Sequence, residues 1–101
     1  MFEKINFEQY VLNSERETTR RTITETDIVL HAGQTSHFFP HHTDAEWCKS
    51  QPFKQRMAYG TPVCSAAVDM TENPVNEVAM GYGYDRMRFI KLVFTNDTIR
   101  V

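Results

Sequence analysis

No stretch of this chain approaches the ~20 consecutive apolar residues that a helix needs to cross a bilayer. The opening residues Met1, Phe2, Glu3, Lys4, Ile5 and Asn6 also lack the apolar core of a secretion signal. Cytoplasmic residence without membrane attachment is therefore expected. Cysteine is scarce: Cys48 and Cys64 are the only two, and their separation excludes the C-x-x-C spacing of a zinc ribbon or a thioredoxin-like redox motif. No disulfide is expected between them. Excess positive charge is missing too, because 11 Lys and Arg face 13 Asp and Glu for a formal net charge of -2. Arg16, Arg20, Arg21, Lys49, Lys54, Arg56, Arg86 and Arg88 are dispersed rather than gathered into the stripe that nucleic-acid binding requires. Internal repeats, low-complexity tracts and linker-like runs are absent, which leaves one continuous unit.

What is present suits a small folded domain. Hydrophobic residues make up 41% and charged residues 24%, far from the composition of a disordered chain, and 101 residues suffice for one core. Residues 18–23 are rich in β-branched side chains and predict a strand. Thr24 follows as a helix cap with Asp27 at the third helical position. Ile28, Val29, Leu30 and Ala32 would form the apolar face of that helix, with Gly33 as its expected stop. Residues 34–40 read as a shaped loop closed by Pro40, and Thr43 or Asp44 would cap a short helix through Glu46, Trp47 and Cys48, ended before Pro52.

Gly60, Thr61 and Pro62 lead into an apolar helix that looks central, with small Ser65, Ala66 and Ala67 and bulky Val63, Val68 and Met70. Asn73 and Pro74 would close it. Residues 77–90 alternate imperfectly, with Gly81 and Gly83, as a bent strand would. The last six residues, 96–101, form a turn and then the opening of another strand.

Four blocks, taken in order and spacing, carry a resemblance. They are residues 21–28 entering the first helix, the loop to Pro40, His41, His42, Thr43 and Asp44, the helix entry at Gly60, and residues 89–94 leading to Asn96, Asp97 and Thr98. Over most of residues 18–101 this order resembles the MaoC-like dehydratases, the family that includes R-specific enoyl-CoA hydratases. The resemblance implies an α+β hotdog fold: a central helix wrapped by a bent antiparallel sheet, forming one domain over residues 1–101 with its final strands missing. The implied activity is reversible addition of water to a trans-2-enoyl-CoA to give a 3-hydroxyacyl-CoA. No cofactor is implied beyond the CoA of the substrate. The implied partners are an acyl-CoA thioester and a second hotdog, as a homodimer or another chain. An acyl-thioester-binding hotdog without catalysis, or an inactive fragment that associates with another hotdog chain, is the alternative.

The family's hydratase loop commonly reads D-x-N-P-x-H. By that match His42 falls on the catalytic histidine, His37 on the aspartate and Phe39 on the asparagine. Tyr59 and Gly60 replace a common His-Gly pair, and Ser65 matches a serine that supports the site. Pro62 and Leu92 depart from the usual aliphatic residue and proline.

Hydration of an enoyl thioester needs a base for the water proton, an acid for the α-carbon and donors for the enolate oxygen. His42, with His37, would handle the water. The amides of Gly60 and Thr61 at a helix N-terminus would hold the oxygen, and glycine there would allow the thioester close to the backbone. An imidazole in place of the aspartate forfeits the charge that orients a partner histidine and raises its pKa, so activity should be reduced. The expectation is geometric: His42 and Gly60 should face each other across a gap fit for one water.

Plainer readings compete. His37, His41 and His42 form a cluster, but Pro40 breaks any helix that would align them, so ordinary loop histidines are favoured and no metal is expected. His31 reads as structural, and Asp44 as a cap rather than an acid. Phe38, Phe39, Trp47 and Phe53 read as core before acyl tunnel.

Overall fold

The computed structural model describes residues 2–72 and 74–101. Its elements in chain order are β1 (Phe2–Glu3), a single 3-10 turn (Phe7–Gln9), β2 (Arg21–Thr22), α1 (Glu25–Thr35), α2 (Pro40–Thr43), α3 (Ala45–Lys49), α4 (Gly60–Thr71), β3 (Val75–Asn76) and β4 (Thr98–Ile99).

The cap expected at Thr24 is present. The Thr24 hydroxyl accepts the Asp27 amide at 3.3 Å, and the Asp27 carboxylate accepts the Thr24 amide at 2.8 Å, so two otherwise orphaned donors are satisfied. The Thr24 backbone amide, first among the causes, holds the Asp27 carboxyl below its ordinary range, and Arg21 adds to this from 2.8 Å. Thr24→Ala should cost about 1 kcal/mol of stability. An unchanged denaturation midpoint would show that α1 is set by packing alone.

Helix α1 does not stop at Gly33. It runs to Thr35, whose hydroxyl donates to the His31 carbonyl at 2.7 Å, and Ser36 takes the left-handed end position at φ 57°. A serine thus takes the left-handed end position, and glycine is not required. Asp44 caps α3 by accepting the Trp47 amide at 2.9 Å. The expected closure of α4 at Asn73 and Pro74 lies partly outside the described residues, since Asn73 is not among them; α4 itself ends at Thr71.

The strands are shorter than expected. β2 pairs antiparallel with β4, Arg21 opposite Ile99 and Thr22 opposite Thr98, so the closing strand finds a partner within the chain. β1 pairs in parallel with β3. The Asn76 side chain ties this pair to the segment after β1, its carbonyl accepting the Ile5 amide at 3.2 Å and its amide donating to the Ile5 carbonyl at 2.8 Å.

The sheet expected to wrap the central helix is not closed or strongly curled among the described residues. The described strands make two separate two-stranded sheets, and the strand read over residues 77–90 is absent. Residues 80–92 are all exposed and have no neighbouring strand, so their backbone groups remain with water instead of a ladder. Arg86, at φ 57°, also breaks the extended run. With no layer over it, α4 buries only Ala66 among its residues, and Val63, Val68 and Met70 stay half-buried. The small core instead lies where Ile28 and Ala32 of α1 meet Tyr59, just before α4. A radius of gyration of 16.6 Å records the open architecture, against about 13 Å for a compact chain of this length.

Candidate active site

Proline at the first position of α2 starts that helix without wasting a backbone donor. It turns the chain so that His41 and His42 fall in a single turn. Thr43 closes the turn, its hydroxyl reaching the Phe38 and Phe39 carbonyls, each at 3.1 Å. The loop is then stitched to the approach to α4. The Met57 amide donates to the His41 carbonyl at 3.0 Å, and the His42 ring bonds through Nδ1 to the Met57 carbonyl at 2.8 Å. On its other side this approach is held by residues 93–94, through the Met57 to Phe94 antiparallel bridge and the Ala58 amide on the Val93 carbonyl at 2.7 Å.

A carbonyl oxygen can only accept, so Nδ1 of His42 carries the proton and Nε2 of the neutral ring keeps its lone pair. Burial pushes the His42 pKa below its ordinary 6.5; the Met57 carbonyl opposes this, while His37, His41 and His31 reinforce it as neighbouring cations. A neutral base is the outcome. Because the folded pKa lies below the unfolded value of 6.5, the unfolded chain binds more protons between the two. Stability is therefore full above about pH 6.5 and declines as pH falls through the lower folded value. Thermal melts from pH 7.5 to 4.5 should show this slope, and His42→Gln should reduce it; equal slopes would place the titration elsewhere.

Tyr59 unites the histidines. Only 3% exposed, its ring stacks on His42 at 3.9 Å between centroids and 24° between planes. It also meets His31 at 4.3 Å and His37 at 5.1 Å, and its hydroxyl donates to the His37 carbonyl. Burial pushes the phenol pKa upward, keeping it a donor. His37 and His42 lie 5.5 Å apart between centroids with planes at 83°. Nε2 of His37 is buried and has no hydrogen-bond partner. Among the described residues no hydrogen bond or ion pair links a carboxylate to either ring.

Tyr59 directly precedes Gly60, so the ring that stacks on His42 is carried by the residue just before α4. The sequence reading noted Tyr59 only as a departure at the His-Gly position; its identity there was the signal. Met57 acts through its carbonyl, so no side-chain pattern could reveal it.

The remaining candidates divide. Phe89 lies against Gly60 so closely that a Cβ there would sit 2.7 Å from its ring. Close approach, not a left-handed φ, is what requires glycine at this position. Thr61 and Ser65 line an open cavity of about 440 Å³ between α1 and α4, together with Arg21, Asp27, His31 and Tyr59, and neither His37 nor His42 is among its lining residues. Tyr59 thus forms a wall between the cavity and the His37–His42 pair. His41 is turned elsewhere, packed at 4.8 Å from Trp47 and 5.8 Å from Phe53, while Phe38 and Phe39 are each 61% exposed rather than in the core. Among the described residues no three His, Cys, Asp or Glu side chains converge as a metal site.

A family model for the MaoC like domain matches residues 7–101. The chain belongs to the MaoC-like family. Protein MaoC of Klebsiella aerogenes is 36% identical over 85 residues, covering 83% of this chain and 25% of that protein. This MaoC-like chain therefore spans a quarter of the curated relative's length. The solved monoamine oxidase regulatory protein from Archaeoglobus fulgius superposes with a TM-score of 0.88 at 36% identity, covering 96% of this chain and 67% of that one. An unliganded R-hydratase from Pseudomonas aeruginosa gives a TM-score of 0.75 at 23% identity over 96% of this chain and 62% of that one, a likeness of fold. The architecture is thus a hotdog-like α+β fold, as the resemblance implied, without the closed and strongly curled sheet. Among the described residues no helix is long and apolar enough to cross a membrane.

Proposed function

We propose that this MaoC-like chain acts on enoyl-CoA thioesters as a hydratase, adding water reversibly to a trans-2-enoyl-CoA to give a 3-hydroxyacyl-CoA. The supporting observation is the imidazole pair packed on Tyr59: the ring of His42, whose Nδ1 is committed to the Met57 carbonyl, lies 5.5 Å from that of His37, whose buried Nε2 has no partner. Two such imidazoles can grip one water between them. His42 takes a proton from that water, and the hydroxide adds to C3 of the enoyl group. The electron pair moves to the thioester oxygen, where the amides of Gly60 and Thr61 at the positive end of α4 receive it. The protonated imidazole then returns its proton to C2, so water is consumed and nothing is left on the protein. Ser65 supports the far side of this helix turn. No group beyond the substrate's CoA enters the balance.

Steady-state hydration of crotonyl-CoA by the native chain and by His37→Asp tests the proposal. Gain of turnover in the variant supports it. Inactivity of both, with acyl-CoA binding retained, would favour a thioester-binding hotdog without catalysis.

One observation favours a second reading, in which the chain works by pairing with another hotdog, as a homodimer or with a different chain. Met80, Tyr82 and Ile90 are 93%, 105% and 92% exposed, a concentration of apolar surface unusual for an isolated unit. Light scattering that shows a monomer at all working concentrations would count against it.

A further inference from the structure

The contact between Phe89 and Gly60 conflicts with an open oxyanion site. The ring's Cγ, Cδ2 and Cε2 all lie within 2.8 Å of where a Gly60 Cβ would stand, so the phenyl group fills the side-chain position of Gly60 and packs on the first turn of α4. Yet Phe89 is not a buried core residue, since it is 58% exposed and both chain neighbours, Arg88 and Ile90, are exposed as well.

The segment that carries it is loosely held. Upstream, the last anchors are the Val78 and Ala79 amides, bonded to Asn76 at 3.2 Å each. Downstream, the first is the Val93 carbonyl, which accepts the Ala58 amide at 2.7 Å. Between these points every described residue from 80 to 92 is exposed and none lies in a helix or strand. Segments with few packed contacts and solvated backbone open at low free energy. The anchor at Val93 lies only four residues from Phe89, and its partner Ala58 only two residues from Gly60. The ring can therefore leave the helix tip and return without losing its place.

We infer that Phe89 is the gate of this site: its ring covers the first turn of α4 in the closed state, and an acyl thioester must displace it to reach the Gly60 amide. This rests on the hydratase reading for the ligand class, although the gate is defined by binding rather than by turnover. A ligand that binds only the open form has its affinity reduced by the open fraction, so removing the cover strengthens apparent binding.

The test uses the full chain with butyryl-CoA, a saturated thioester that cannot be hydrated, and measures its affinity by calorimetry for the native protein, Phe89→Leu and Phe89→Ala. Tighter binding is expected in that order, about 5- to 10-fold for Phe89→Ala. Thermal melts confirm that each variant is folded, as a half-exposed side chain should allow. Equal or weaker binding by folded Phe89→Ala overturns the gate, and so does failure of every form to bind. Crotonyl-CoA hydration is measured separately in the His37→Asp background: tighter butyryl-CoA binding by Phe89→Ala without turnover there would remove the hydratase reading and leave the gate standing.

Discussion

His37→Asp should raise crotonyl-CoA hydration by about two powers of ten or more, the lower end of what a placed acid-base group contributes. The effect follows from the environment of His42. Its Nδ1 is already committed to the Met57 carbonyl at 2.8 Å, its ring is stacked on Tyr59, and burial together with three nearby imidazoles holds its pKa down. A depressed pKa makes the ring a weak base, and a second imidazole opposite it only deepens the depression once protonated. A carboxylate at position 37 reverses that sign, orienting the water and stabilising the imidazolium as it forms. The acid limb of the rate profile should move upward at the same time. An increase in rate without that movement would show that the carboxylate acts through position alone, and no increase would exclude an acid-base role for residue 37.

Substitution of His42 should have a comparable effect in the opposite direction. Alanine removes the ring whose protonated Nδ1 is committed to the Met57 carbonyl and whose Nε2 is left to act as base, and a loss of about 10²- to 10⁴-fold is expected in the His37→Asp background, where the rate is high enough to follow. His42→Asn separates chemistry from packing, because its amide can still donate to the Met57 carbonyl but cannot accept a proton. It should lose nearly as much activity as alanine while melting closer to the parent. If His42→Asn retained more than a tenth of the parental turnover, the base would have to be another residue.

Features governed by three or four consecutive residues were legible in the sequence. The Thr24 and Asp27 box and the Asp44 cap depend on a hydroxyl or carboxylate within reach of the next turn's amides, and both appear where the spacing puts them. The family was legible because four weak blocks kept a common order. The end of α1 was not, because the left-handed end position is taken by Ser36, a residue type that marks a helix stop less plainly than Gly33 does. Nor was the fate of residues 77–90, whose alternation promised a strand while the ladder to sustain one had to come from distant segments. At the site, His42 could be singled out by motif, but its working surroundings are Tyr59 and the Met57 carbonyl, fifteen or more residues away. Phe89 on Gly60 is a contact across 29 positions, and no local pattern announces it.

The pairing of β2 with β4 has a consequence for the birth of the protein. Arg21 is matched to Ile99, and the Thr18 amide bonds to the Val101 carbonyl at 2.9 Å, so residues 18–22 are fastened to a segment far along the chain. During translation, α1 and its cap can form early, but β4, the strand that completes their edge, is made long after α1. Until then the nascent chain must wait with that edge unpaired, open to chaperones or to any extended segment that reaches it first.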